Sequence, residues 1–263
     1  MRVLLIRHAQ SQNNVIAREE RSVPGRSRKE ARAAFEKRRY EDPMLSELGS
    51  AQAESLGEWL ATDPLLAPFA DERVDVLCSP MQRTMLTARP LLKAFPSWRG
   101  HVDERLYETG GIFTTDEHGV DTAGTGMTAA QLRDRFPEFE PSEHIVHRGE
   151  LGWYHLDHRE TRAEMAERMG RVAAWLGERA RAADAPPLLV LVVHGDFLDE
   201  LLKLLLGSKG RFMHYNTAQT YLELEAAPSG DEGLGRATMY FVNRAEHVGS
   251  AARTGEEMIQ VVA

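Results

Sequence analysis

Residues 188–196 read Leu-Leu-Val-Leu-Val-Val-His-Gly-Asp, six aliphatic side chains running straight into a histidine. The run is short for a helix and shows no polar alternation, so Leu188–Val193 is predicted as a strand buried on both faces. Strands of that kind belong to parallel sheets covered by helices on both sides. The flanks agree. Thr161 to Ala183 carries Met165, Met169, Val172, Trp175 and Leu176 at helical spacing, then stops at Pro186-Pro187. Phe197 to Leu206 is predicted as the next helix.

Outward from this segment the same alternation continues. Val3–Ile6 is a second short aliphatic run and a predicted strand. Ser46–Leu60 is a predicted helix with Ser46 as its cap. Val74–Cys78 is a strand broken by Ser79-Pro80, and a helix starts near Met81 until Pro90 disturbs it. Val102–Leu106 is expected to be a short strand. Residues 109–127 are glycine-rich and read as a loop; Thr128 and Gln131 then have capping-box spacing for a helix to Phe136. Residues 137–159 read as irregular. Thr220–Leu224 and Thr238–Val242 are two last strands, joined by a turn over Pro228–Gly235, and the final twenty residues carry no pattern. The expected architecture is one domain over 1–263, a three-layer α/β/α sandwich around a mixed, mostly parallel sheet. Helical and loop cap excursions are expected at about 15–41 and 109–159.

Composition narrows the function. The 263 residues are 42% hydrophobic and 27% charged, an ordinary globular balance. Lys and Arg number 32 against 40 Asp and Glu, a net charge of −8, which argues against a protein that coats nucleic acid. Cys78 is the only cysteine, so no intrachain disulfide exists. No apolar run reaches the ~20 residues of a membrane span. A cytoplasmic protein without nucleic-acid or membrane partners is expected, with oligomeric state left open, a homo-oligomer included.

Ligands of open α/β sheets bind beyond the carboxyl ends of the strands. Those ends carry Arg7-His8, then Ser79-Pro80-Met81-Gln82-Arg83-Thr84, then Tyr107-Glu108, then His194-Gly195-Asp196. Two arginines, two histidines and a glutamate thus converge on one rim. Arginine forks match phosphate oxygens. A neutral imidazole can attack phosphorus, a second can donate to a phosphoryl oxygen, and a protonated carboxyl can supply the leaving group's proton. The arginines carry the positive charge, so no metal or other cofactor is expected.

Arg7-His8-Ala9-Gln10-Ser11-Gln12-Asn13-Asn14 resembles the Arg-His-Gly-x-Ser/Thr-x-x-Asn signature of the histidine phosphatase superfamily, the phosphoglycerate mutase-like proteins. Asp42-Pro43-Met44-Leu45-Ser46-Glu47-Leu48-Gly49 resembles its Asp-x-Pro-Leu-Thr-x-x-Gly stretch. Ser79–Thr84 with Thr87-Ala88, Arg105-Leu106-Tyr107-Glu108 and Val193-His194-Gly195 resemble its remaining motifs in the right order. The resemblance implies a phosphatase acting on a small phosphorylated metabolite. It implies His8 as nucleophile, Arg7, Arg83 and His194 as phosphoryl holders, Glu108 as acid and base, and Asn14 and Ser11 in the phosphate pocket.

Three departures matter. Ala9 stands where glycine is usual, the sequence after Glu108 lacks the mutase pattern, and the 15–41 excursion is long and basic. Mutase-type transfer and a non-catalytic phosphate-binding module remain as alternatives. Asp196 competes with Glu108 for the acid role. The basic run 18–39, anchored by Phe35, reads as a solvated helical face, against the alternative of a cap that offers arginine to an anionic substrate. Trp153 and Tyr154 are either anchors of the second excursion or a stacking platform. His144, His147, His155 and His158 lack zinc-signature spacing and read as loop or cap histidines.

Overall fold

The computed structural model describes residues 1–226 and 235–260. The chain opens with β1 (Arg2–Arg7), α1 (Gln12–Ser22), α2 (Arg28–Arg38), α3 (Glu47–Ala61), β2 (Asp75–Cys78), α4 (Gln82–Ala94) and β3 (Arg99–Val102). It continues through β4 (Phe113–Thr115), β5 (Asp121–Ala123), α5 (Ala129–Arg135), β6 (Phe139–Pro141), α6 (Glu143–His147), α7 (Arg162–Arg181), β7 (Leu188–Val193) and α8 (Gly195–Leu206). The last elements are β8 (Arg211–Tyr215), β9 (Gln219–Leu224), β10 (Ala237–Arg244) and β11 (Gly255–Gln260).

Among the described residues, seven strands form the central sheet in the order β10-β9-β1-β7-β2-β3-β6. The five from β1 to β6 in that order run parallel, and β9 and β10 are antiparallel. This is the expected mixed, mostly parallel sheet. Every residue of β7 is fully buried because both neighbours and both faces are covered. Strand alternation sorts the core. Leu4, Ile6, Leu188, Val190 and Val192 face the layer containing α3 and α4, whereas Val3, Leu5, Leu189, Leu191 and Val193 face α7 and α8.

Several elements differ from the sequence reading. The third parallel strand is Arg99–Val102, and the predicted Val102–Leu106 is mostly a 3-10 turn over Glu104–Leu106. β3 is set by parallel register, Asp75 opposite Arg99, which local hydrophobicity does not reveal. The 109–127 loop contains the β4–β5 hairpin. Helix α4 continues past Pro90 to Ala94, packed against α3. The tail holds β11, which pairs with β8 outside the main sheet. The turn expected from Pro228 lies outside the described residues. No helix among the described residues is long and apolar enough to cross a membrane.

The excursion at 15–41 folds as α1 and α2, but the one at 109–159 is a cap only in part: Phe139–Pro141 is β6, an edge strand of the central sheet, and Glu143–His147 is α6, where an irregular stretch was expected. Helices α1 and α2 are joined by Arg26 and Arg38, which both reach the buried Glu20 carboxylate. Ala31 is the buried residue of α2, and the expected anchor Phe35 is only half-buried. Trp153 and Tyr154 are buried and packed around Tyr107, with ring centroids 5.5 and 5.4 Å from its own. They are anchors, not a stacking platform.

Candidate active site

β1 and β7 end together, with Arg7 opposite Val193, so His8 and His194 emerge side by side. Their rings meet edge-on at 5.2 Å between centroids. The His8 N–H donates to the Val193 carbonyl at 2.8 Å, which ties the two strand ends together.

His8 is buried, and its Nδ1 lies 2.6 Å from the Ala9 carbonyl oxygen. A carbonyl can only accept, so Nδ1 carries the proton and Nε2 keeps its lone pair. Arg83 Nε donates to that Nε2 at 3.2 Å. Burial first, then Arg83 and Arg7, hold the His8 pKa well below its usual value. Ala9 is not among the positive-φ residues, so alanine meets no backbone strain where the family's glycine is usual. Its N–H donates to Thr87 Oγ1 at 2.9 Å.

His194 is fully buried, and neither ring nitrogen has a hydrogen-bond partner among the described residues. Burial, then Arg83 and His8, keep it neutral far below the usual imidazole range. A buried polar ring left unpaired costs stability unless a ligand completes it. Arg7 donates through Nη1 to the His214 carbonyl. Two glycines admit this guanidinium: a Cβ on Gly195 would lie 3.1 Å from Nε, and one on Gly255 (φ +101°) would lie 2.7 Å from Nη1.

The helices framing the site lack side-chain caps of their own. Asp42 caps α4 from outside, accepting from the Gln82 N–H at 3.2 Å, and sits 3.7 Å from Arg83 Nη1. Burial lifts the Asp42 pKa to about 6 against the pull of Arg83. Glu108 caps α8, accepting from the Phe197 N–H at 3.0 Å and the Asp196 N–H at 3.4 Å. Burial and the nearby Asp196 charge push the Glu108 pKa up to about 7, although Arg83 and Arg7 oppose them.

Ser11 and Asn14 line the cleft, yet their side chains also close a capping box on α1. The Ser11 N–H donates to Asn14 Oδ1 at 3.0 Å. Asp196 lies in the first turn of α8, while His194 occupies the cap position.

Two features escaped the sequence reading, and a third stood there only as the alternative. The first is a buried ion pair behind Glu108. Arg168 Nε and Nη2 donate to the Glu160 carboxylate at 2.7 and 2.8 Å, and its Nη1 donates to the Arg105 and Tyr107 carbonyls at 2.9 Å. The second is a hydrogen-bonded circuit around the His8 loop. The Gln10 N–H donates to Gln52 Oε1 (2.9 Å), Gln52 Nε2 donates to Thr254 Oγ1 (3.0 Å), Thr254 Oγ1 donates to Asn216 Oδ1 (3.0 Å), and Asn216 Nδ2 donates to the His8 carbonyl (2.9 Å). The next residue, Thr217, takes φ 61°, a strained conformation for a β-branched residue, and its N–H donates to the Arg7 carbonyl at 3.1 Å.

The third concerns the basic run. Arg18, Arg21, Arg28, Arg32 and Arg39 line the same cleft of about 870 Å³ as His8 and Glu108. Arg18, Arg21, Arg28 and Arg32 are exposed, as a solvated face requires, and Arg39 is half-buried; that same face borders the cleft. Among the described residues no three histidine, cysteine or carboxylate ligands gather as a metal site.

A family model described as histidine phosphatase superfamily (branch 1) matches residues 3–228. The chain belongs to this superfamily. Solved histidine phosphatase folds share the architecture. A mycobacterial glucosyl-3-phosphoglycerate phosphatase is 22% identical, with TM-score 0.51, over 92% of this chain and 98% of that one. A putative alpha-ribazole-5'-P phosphatase from Escherichia coli is 17% identical, with TM-score 0.52, over 93% and 97%. A phosphoserine phosphatase variant from Entamoeba histolytica is 14% identical, with TM-score 0.51, over 94% and 98%. At these identities the likeness is one of fold. No curated protein sequence matches the chain.

Proposed function

We propose that the protein hydrolyses a small-molecule phosphate monoester through a phosphohistidine on His8, without a metal ion. The observation that carries this reading is the His8 tautomer: Nδ1 is committed to the Ala9 carbonyl, and Nε2 is presented to Arg83. In the first step the Nε2 lone pair forms the P–N bond as the ester P–O bond breaks. The departing oxygen takes its proton from Glu108. In the second step water attacks phosphorus, Glu108 takes the water's proton, and the P–N electrons return to Nε2. Arg7, Arg83 and His194 hold the equatorial oxygens, the two unpartnered His194 nitrogens making it the ready donor. Ser11 and Asn14 border the phosphate.

The test is phosphate release from a panel of phosphomonoesters in EDTA. Turnover that survives EDTA supports the reading. Turnover restored only by added metal would overturn it, and isomerisation of a phosphoglycerate without phosphate release would replace it with mutase-type transfer.

The pH profile follows from the same groups. Glu108 must be protonated to act first as an acid, so kcat/KM is expected to fall above about pH 7, roughly tenfold per unit. His8 stays neutral well below its usual range, so the acid limb lies well below pH 6.5. Glu108→Gln should lose about 10²–10³-fold with alkyl phosphates, whose leaving oxygen needs a proton. The loss should be far smaller with p-nitrophenyl phosphate. Equal losses on both substrates would exclude Glu108 as the acid.

A further inference from the structure

Phe113, at the start of β4, lies in the wall of the cleft and carries two guanidinium groups. The Arg39 Cζ is 3.8 Å from the ring centroid and that of Arg159 is 4.0 Å. Two planar groups that close to one ring must cover opposite faces. Such stacking holds guanidiniums in fixed planes and suits them to bidentate recognition of carboxylate or phosphate.

Their charges are unevenly compensated. Arg159 is paired with Asp121 at 3.1 Å and Glu36 at 3.4 Å. Glu36 Oε1 also accepts Arg32. Arg39 has no ion pair among the described residues, and its buried Nε has no hydrogen-bond partner. Burial, then the cations Arg83, Arg159 and Arg32, lower the Arg39 pKa to about 10, against the pull of Glu36. Three guanidiniums therefore share two carboxylates, and the one left over faces the cleft that holds His8. The cleft, about 870 Å³, is far larger than one phosphoryl group needs and falls in the range of sites that enclose whole small-molecule ligands.

We propose that the substrate carries a second anionic group, a carboxylate or a second phosphoryl, on the part remote from the scissile phosphate. Arg39, with Arg159 beside it, receives that group. This inference rests on the phosphatase reading and specifies the substrate class. The scissile phosphate lies against His8, and the cap arginines read the far end.

The test is calorimetric binding of non-hydrolysable ω-phosphonoalkanoic acids of graded chain length, each compared with the methyl ester of its carboxyl group. A matching series of bisphosphonates distinguishes a carboxylate from a phosphoryl tail. At one chain length the anionic tail should bind wild-type protein at least tenfold tighter than the ester. In Arg39→Gln that ratio should fall below twofold, and Arg39→Lys, which keeps the charge and loses the fork, should fall between. A wild-type ratio near one at every length overturns the proposal, as does a ratio that Arg39→Gln leaves intact. The ratio is internal to each protein, so a general loss of fold does not mimic it. Release of phosphate from p-nitrophenyl phosphate reads the phosphatase assignment separately. If release is absent while the tail preference persists, the hydrolase reading fails and the second subsite stands.

Discussion

His8→Ala is expected to lower phosphate release by at least about 10⁴-fold, because among the described residues only His8 has its tautomer and its Nε2 lone pair fixed in one orientation by hydrogen bonds to Ala9 and Arg83. His194 is the nearest competitor, with its ring 5.2 Å away and its nitrogens unpaired. The two histidines are separated by what holds them. His8 is fixed by the Ala9 carbonyl and receives Arg83, so its reactive atom has one orientation. His194 has no such clamp and gains its partners from the ligand. Wild-type protein quenched in base during turnover should carry a phosphoramidate on a peptide containing residue 8, and His8→Ala should carry none. His194→Ala should retain the label while losing rate. A variant without His8 that keeps more than about 1% of wild-type turnover in EDTA would end the covalent mechanism.

The second large effect concerns stability. Arg168→Met should destabilise the protein by about 3–5 kcal/mol, because it strands the fully buried Glu160 carboxylate without its counter-ion. For a protein near this size that is a fall in Tm of roughly 10 °C. Removing both charges in Glu160→Met/Arg168→Met should restore much of the loss, since breaking a buried pair costs more than omitting it. The pair also holds the backbone around Glu108, the proposed acid: Arg168 bonds the Arg105 and Tyr107 carbonyls, and Glu160 accepts from the Gly110 N–H at 3.1 Å. The double variant should therefore stay folded yet show a reduced kcat with little change in KM. A single variant whose Tm drops by less than about 2 °C would show that the pair does not hold this region.

What was legible in the sequence had a local signature. Leu188–Val193 could only be a covered strand, and the residues ending β1 and β7 had to share a rim once those strands were parallel. His8, Arg83 and His194 followed from position and motif together. The hidden parts are pairings across long distances. Glu160 and Arg168 look like any acid and base near a helix start until Tyr107 and Gly110 are folded against them. Asp42 was quoted within a motif, but its capping of α4 forty residues later has no period. The arginines of the first excursion are on the surface as read, but composition does not say that this surface borders the cleft. β4 and β5 did leave a trace, threonines on either side of Gly119, which the surrounding glycines masked.

The circuit through Gln10, Gln52, Thr254, Asn216 and His8 has a consequence in time. During synthesis His8, the proposed nucleophile, leaves the ribosome first, and the hydroxyl that completes its support is made some 246 residues later. The parallel core can assemble before then, but the loop bearing His8 is held on one side only. Contacts of such sequence separation form late in folding. Until residue 254 is made, a nascent chain therefore lacks the hydroxyl that links Gln52 to Asn216, and the support of the His8 loop is completed only near the end of synthesis.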